Sequence, residues 1–270
     1  MRVFALSDMH VDFDPNAQWV AALSRSDYQE DVLILAGDIS DSIERFTECL
    51  DAFARRFRKV FFVPGNHDLW VVRDSAHMNS LDKFEQVKAV VQGCGASMEP
   101  ELIDGVAIVP LFGWYDGSFG ELGAELRAAW MDCRACRWPA GWSELEITQH
   151  FIGLNEGRRI GKGKVTISFS HFLPRIDLMP AFIPPLHRKI YPVLGSSRLE
   201  GLIREIRPDM HVYGHSHVNR DIVIDGVNYI NNAFAYPHEE RIAAKALRCI
   251  YQTGSARSPA SGPKFSLSAY

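Results

Sequence analysis

Short apolar runs that stop abruptly at polar loops set the rhythm of this chain. Residues 3–6, 32–36 and 60–63 are continuous apolar stretches, and each ends in Gly, Asp, Ser or Pro, as buried strands do when they deliver a loop. Between them the spacing changes to that of a helix. Trp19, Val20 and Leu23 mark one helix within 16–26, and Ile43, Phe46, Leu50, Phe53 and Phe57 mark the next. Asp41 followed by Glu44 reads as a capping box opening that second helix. Asp8 to Asp38 spans 30 positions and Asp38 to Asn66 spans 28, each one strand–helix–strand unit. The pattern predicts a parallel sheet with three polar loops on one edge, which is where ligands bind in α/β sheets.

Farther along, apolar spacing predicts helices over 80–92, 144–158 and 198–206. Strands are predicted over 106–112, 165–170 and 210–213. A hairpin follows at 222–230 around Asp225-Gly226, with a last strand within 241–251. From residue 253 the chain is rich in Ser, Gly, Pro and Ala and reads as a mobile tail. The composition does not break before it, so residues 1–252 are expected to form a single domain, with 253–270 as the tail.

The polar residues collect at the predicted strand ends. Asp8 and His10 stand two apart, as do His215 and His217, so within a continuing strand each pair would face one way. In Gly65-Asn66-His67-Asp68, Asn66 offers a neutral oxygen, His67 can carry a proton near neutral pH, and Asp68 can orient His67. That stretch taken alone is equally well an ordinary turn. His171 closes the strand that begins at Val165.

In order along the chain, Asp8-x-His10, Gly37-Asp38, Gly65-Asn66-His67-Asp68, His171 and Gly214-His215-Ser216-His217 resemble the five motifs of the calcineurin-like metallophosphoesterase superfamily. The match runs from Asp8 to His217 and is poorest between residues 70 and 164. The resemblance implies an α/β sandwich of two packed mixed sheets flanked by helices. It implies a centre of two divalent metal ions, of the manganese, iron or zinc type. Asp8, His10 and His217 would hold one ion and Asn66, His171 and His215 the other, with Asp38 bridging. Such a centre hydrolyses a phosphate ester by in-line attack of a metal-bridging hydroxide. His67 would protonate the leaving oxygen or stabilise the charge developing on it.

Within the superfamily, phosphoprotein phosphatases carry clamp arginines beside the second and third motifs. Here Ile39-Ser40-Asp41 and Gly65 occupy those places, which points to a small phosphorylated substrate, a diester or a monoester. A formal net charge of −4 speaks against a nuclease of the same superfamily and against nucleic acid as a partner. A catalytically weak scaffold that keeps only the fold is the non-enzymatic alternative, and all eight motif residues are present. No apolar stretch approaches the ~20 residues of a membrane helix, and no membrane partner is expected. Five cysteines in a chain of 270 do not read as a disulfide framework, so a cytoplasmic location is expected. Cys133-x-x-Cys136 lacks a second pair and reads as two thiols. Trp114 and Tyr115 are read as core, with a pocket lining as the alternative, His211 as structural, and Arg175 as a solvated loop residue rather than a phosphate ligand.

Overall fold

The computed structural model describes residues 1–158, 160, 161 and 163–254. The expected tail lies, from residue 255 on, outside the described residues. In chain order the elements begin with β1 (Arg2–Leu6), α1 (Asp14–Ala22), β2 (Val32–Leu35), α2 (Ile43–Ala54) and β3 (Lys59–Phe62). Next come α3 (Ser80–Gly93), β4 (Glu101–Ile103), β5 (Val106–Pro110), α4 (Ala124–Ala129), α5 (Asp132–Ala135) and α6 (Glu144–Gly153). The chain continues with β6 (Val165–Phe169), α7 (Ser197–Ile206), β7 (Met210–Tyr213), β8 (Arg220–Ile224), β9 (Val227–Asn231) and β10 (Arg248–Gln252).

The strands form two sheets, ordered β10-β1-β2-β3 and β4-β5-β6-β7-β9-β8. β1, β2 and β3 run parallel with Leu6, Leu35 and Phe62 in register, so the loops after them leave one edge side by side. β5, β6, β7 and β9 are parallel in the second sheet, and β4, β8 and β10 close the sheet edges antiparallel. A parallel bridge from Ser7 to Ala233 joins the two sheets just beyond β1. The α/β sandwich of two mixed sheets expected from the sequence is the fold observed.

Burial explains why the apolar runs are continuous. Every residue of β2 is buried, because both faces of a parallel sheet are covered. α2 turns Phe46, Cys49, Leu50 and Phe53 to the core at the spacing of one helical face. Its cap differs from the expected one: Ser42, not Asp41, accepts from the Arg45 amide. Asp41 is drawn away by Arg73, whose Nε donates to both of its oxygens at 2.9 and 2.8 Å. Trp114 and Tyr115 are core residues, 1% and 2% exposed, packed on Phe172. His211 is structural, as expected. It is buried between the hydroxyls of Ser168 and Ser170, and burial holds it down to about 3. Arg175 is not a free loop cation, since it pairs with Asp177, Glu200 and Asp225. No helix among the described residues is long and apolar enough to cross a membrane.

Candidate active site

All eight motif residues meet where the strand ends of the two sheets converge. His10 Nε2 lies 3.1 Å from His217 Nε2, which lies 3.4 Å from Asp8 Oδ1. On the other side, His171 Nε2 lies 3.1 Å from Asn66 Oδ1 and 3.2 Å from His215 Nδ1. Asp38 Oδ2 stands between, 3.5 Å from His171 Nε2 and 3.9 Å from His10 Nε2. Its other oxygen is engaged, because Oδ1 accepts the His67 amide N–H at 2.9 Å. A carboxylate can bridge two ions through its two separate oxygens. Here the backbone takes one and leaves a single atom facing both groups.

The pairs Asp8/His10 and His215/His217 do face together, but not by the expected route. Strand pleating ends at Leu6 and Tyr213, and these four residues lie in the left-handed region, at φ of 54°, 41°, 65° and 55°. Asp38 joins them at 58°. Such conformations cost about 1–2 kcal/mol for a residue with a Cβ. A web of main-chain bonds between loops holds them: Asp8 N–H to Gly37, His10 N–H to Asp38 and Val11 N–H to Ile39 carbonyls. Close approach sets the glycines. A Cβ on Gly65 would stand 2.1 Å from Asp38 Oδ1 and 2.7 Å from the His171 ring. On Gly37 it would stand 2.5 Å from His171 Nδ1.

Asp68 does not orient His67. Its two oxygens accept four main-chain N–H groups, from Asp38, Ile39, Ser40 and Gly65, at 2.8–3.1 Å. It therefore staples the loops after β2 and β3 together. Burial still pushes it up to about 7 against those four donors. His67 is instead held by Trp70, stacked on it with ring centroids 3.7 Å apart. Burial, then the neighbouring His217, keeps the His67 ring well below its ordinary value, which favours the neutral imidazole with one N–H.

The outward ring nitrogens fix the tautomers. His171 Nδ1–H donates to the Ala36 carbonyl at 2.8 Å, His215 Nε2–H to the Val193 carbonyl at 3.0 Å, and His217 Nδ1–H to Glu239 at 2.6 Å. In each case the remaining nitrogen turns inward. Lone pairs facing one another at 3.1–3.5 Å fit a shared cation, because ligand atoms bound at about 2.0–2.2 Å stand about 3 Å apart. The charges fit as well. Asp8 and Asp38 are buried, and among the described residues no lysine or arginine pairs with either. Burial, with Asp68 and Asp8 nearby, pushes Asp38 well above the carboxylate range, a burden that divalent cations relieve. Two spatial groups, Asp8–His10–His217 and Asp38–His171–His215, can each hold an ion. His67 also falls within reach of His10 and Asp38, though its ring is partly exposed where theirs are buried.

Four neighbours carried no sequence signal. Glu239 accepts from His217, and Tyr236 packs on His10 and His217 at 4.5 and 4.9 Å between centroids. Trp130 sits edge-on to His215, and Asp132 accepts from the Asn66 amide at 2.8 Å. All four lie in irregular segments or a short helical turn, where neither periodicity nor a motif distinguishes them.

Comparison with known proteins gives a consistent result. The calcineurin-like phosphoesterase family matches residues 1–219. The chain is similar to the acyl-carrier-protein phosphodiesterase PptH of Mycobacterium tuberculosis, at 26% identity over 88% of this chain and 79% of that protein. The crystal structure of that organism's phosphopantetheinyl hydrolase PptH superposes with a TM-score of 0.76 at 23% identity, covering 95% of this chain and 98% of the other.

Proposed function

The chain belongs to the calcineurin-like phosphoesterase family, a metal-dependent class of phosphoric ester hydrolases, and from that premise we propose that residues 1–252 act as one phosphodiesterase unit. The observation that carries this reading is the pair of inward-facing ligand groups meeting at Asp38 Oδ2. Asp8, His10 and His217 would hold one divalent ion and Asn66, His171 and His215 the other, with Asp38 shared. Bound there, the ions supply Lewis-acid polarisation of the phosphoryl group and a water nucleophile at neutral pH. Two carboxylates against two divalent ions leave a positive centre that attracts an anionic ester.

The chain's own groups then divide the work. The His67 amide holds Asp38 Oδ1, which leaves Oδ2 as the atom that would be offered to both ions. His67 donates an N–H to the leaving oxygen, held in plane by Trp70. Neither Arg73 nor Arg175 is free to clamp a terminal phosphate, since both are tied to carboxylates. Around the histidines the rim is aromatic, formed by Phe13, Tyr236, Trp70 and Trp130. An organic substituent on each side of the phosphorus suits that rim better than a free dianionic phosphate.

A protein-borne diester is the second reading, favoured by one segment. The chain entering Val193, whose carbonyl holds His215, presents Phe182 and Leu186 at 71% and 68% exposure. A phosphopantetheinylated carrier protein, the kind of substrate named for the mycobacterial relative, would meet this surface. Five free cysteines suit a reducing compartment, and we assign the activity to the cytoplasm.

The test is a panel assay on manganese-loaded protein. It would include a bis-nitrophenyl diester, the matching monoester, a cyclic nucleotide and a phosphopantetheinylated carrier protein. Diester turnover above monoester turnover is expected. Monoester turnover alone would overturn the diesterase reading, and turnover indifferent to chelation would overturn the metal reading.

A further inference from the structure

Asn66 faces a problem of orientation. An amide side chain presents an oxygen and an NH2 group of nearly the same shape, and only the oxygen can face a cation. Here Oδ1 turns to His171 Nε2 at 3.1 Å, while Nδ2 donates to Asp132 Oδ1 at 2.8 Å. Both residues are 2% exposed, so water cannot compensate a wrong orientation. Turning the amide over would press its oxygen against a carboxylate oxygen and leave an N–H group facing the metal position. The carboxylate therefore separates two orientations that packing by shape leaves nearly equal.

The same carboxylate reaches the other half of the chemistry. Its Oδ1 also accepts from Trp70 Nε1 at 2.7 Å, and Oδ2 accepts from Trp130 Nε1 at 2.8 Å. Trp70 is the ring stacked on His67, and Trp130 lies edge-on to His215. Asp132 is the first residue of α5, and main-chain bonds lace this segment to the loop after β3. Val71 N–H donates to the Ala135 carbonyl at 2.8 Å, and Ser80 N–H to the Arg137 carbonyl at 2.7 Å.

We infer that Asp132 is a positioning residue that sets the metal-facing side of Asn66 and the ring plane on which His67 rests. It acts through Asn66 and Trp70 and touches neither ion nor ester. The inference rests on the ligand assignment proposed above for Asn66.

The test titrates manganese into metal-stripped wild type, Asp132→Ala, Asp132→Asn, Asn66→Ala and the Asn66→Ala/Asp132→Ala double variant. Binding is followed by calorimetry and electron paramagnetic resonance, which separates a coupled ion pair from a lone ion. Wild type should take up two ions. Asp132→Ala should weaken one of them about 10–100-fold, the range for losing a group that orients a ligand, and leave the other unchanged. Asp132→Asn keeps an acceptor oxygen where Asn66 and Trp70 donate but turns an NH2 group toward the Trp130 N–H, so it should weaken that ion less than Asp132→Ala does and retain the pair signal. In the Asn66→Ala background, Asp132→Ala should cost nothing more at that position, because its route has already been cut. Equal losses in both backgrounds would overturn the inference, as would wild-type binding of both ions by Asp132→Ala. Wild type that binds no manganese would sink the ligand assignment itself, and this inference with it. Far-ultraviolet circular dichroism checks that each variant is folded.

Discussion

The two halves of the site hold their ligands by different means. Around Asp8, His10 and His217 most supporting groups are side chains: Ser7 on Asp8, which also accepts the His215 main-chain N–H at 2.9 Å, Glu239 on His217 and Tyr236 against both histidines. Around Asn66, His171 and His215 two supports are main-chain carbonyls, of Ala36 and Val193, and Asp132 is the one charged support. The electrostatics follow this division. With no ion bound, burial works against charge on His217, yet Asp8 and Glu239 outweigh it and push the ring up to about 9, so an ion held there would displace the proton from Nε2. In the other half burial prevails, holding His171 down to about 3 and His215 to about 4. One half is thus built from groups that a substitution can remove. In the other the main chain fixes both histidines, and Asp132 is the removable hydrogen-bonding side chain.

Asp38 is where the halves meet, so its loss should have the largest effect. Asp38→Ala should lose metal at both positions and turnover to background, as read by elemental analysis and diester hydrolysis. Full metal with full activity would break the comparison at its centre. Gly65→Ala should come next, because its Cβ collides with both Asp38 and the His171 ring. Turnover should fall well over tenfold, whereas Gly93→Ala, with no atom within 4 Å of the added carbon, should match wild type.

His67 belongs to neither half, and His67→Ala should keep its metal. The loss should be about 10²–10⁴-fold on an alkyl ester and far smaller on a nitrophenyl ester, whose leaving group needs no donor. Equal losses on the two would move His67 from the leaving group to the phosphoryl oxygens. Glu239→Ala gives the mildest and most selective effect. It should weaken the ion on the His217 side alone, by about 10–100-fold, mirroring Asp132→Ala on the opposite side. A titration in which both ions weaken together would show that the halves are not independently supported.

Much of this was legible in the sequence, for a definite reason. β1, β2, β3, β6 and β7 are buried strands, so their apolar runs stand out, and the motif residues begin where the apolar run stops. The supports were not legible. Asp132 and Glu239 reach the site across 66 and 22 positions, in segments without a period to read. Asp68 misled because adjacency to His67 suggested a contact, while its geometry lets four amides from two loops converge on it. The left-handed turns at Asp8, His10, His215 and His217 were hidden as well. Those residues adopt that conformation only when loops from several strands hold them, a fact of tertiary structure that no local pattern carries.

The central claim is that two ions share Asp38. Anomalous diffraction from crystals of manganese-loaded protein tests it most directly. The account predicts two peaks about 3.5–4 Å apart flanking Asp38 Oδ2, one among Asp8, His10 and His217 and the other among Asn66, His171 and His215. A single peak, or a pair that does not have Asp38 between them, would contradict it.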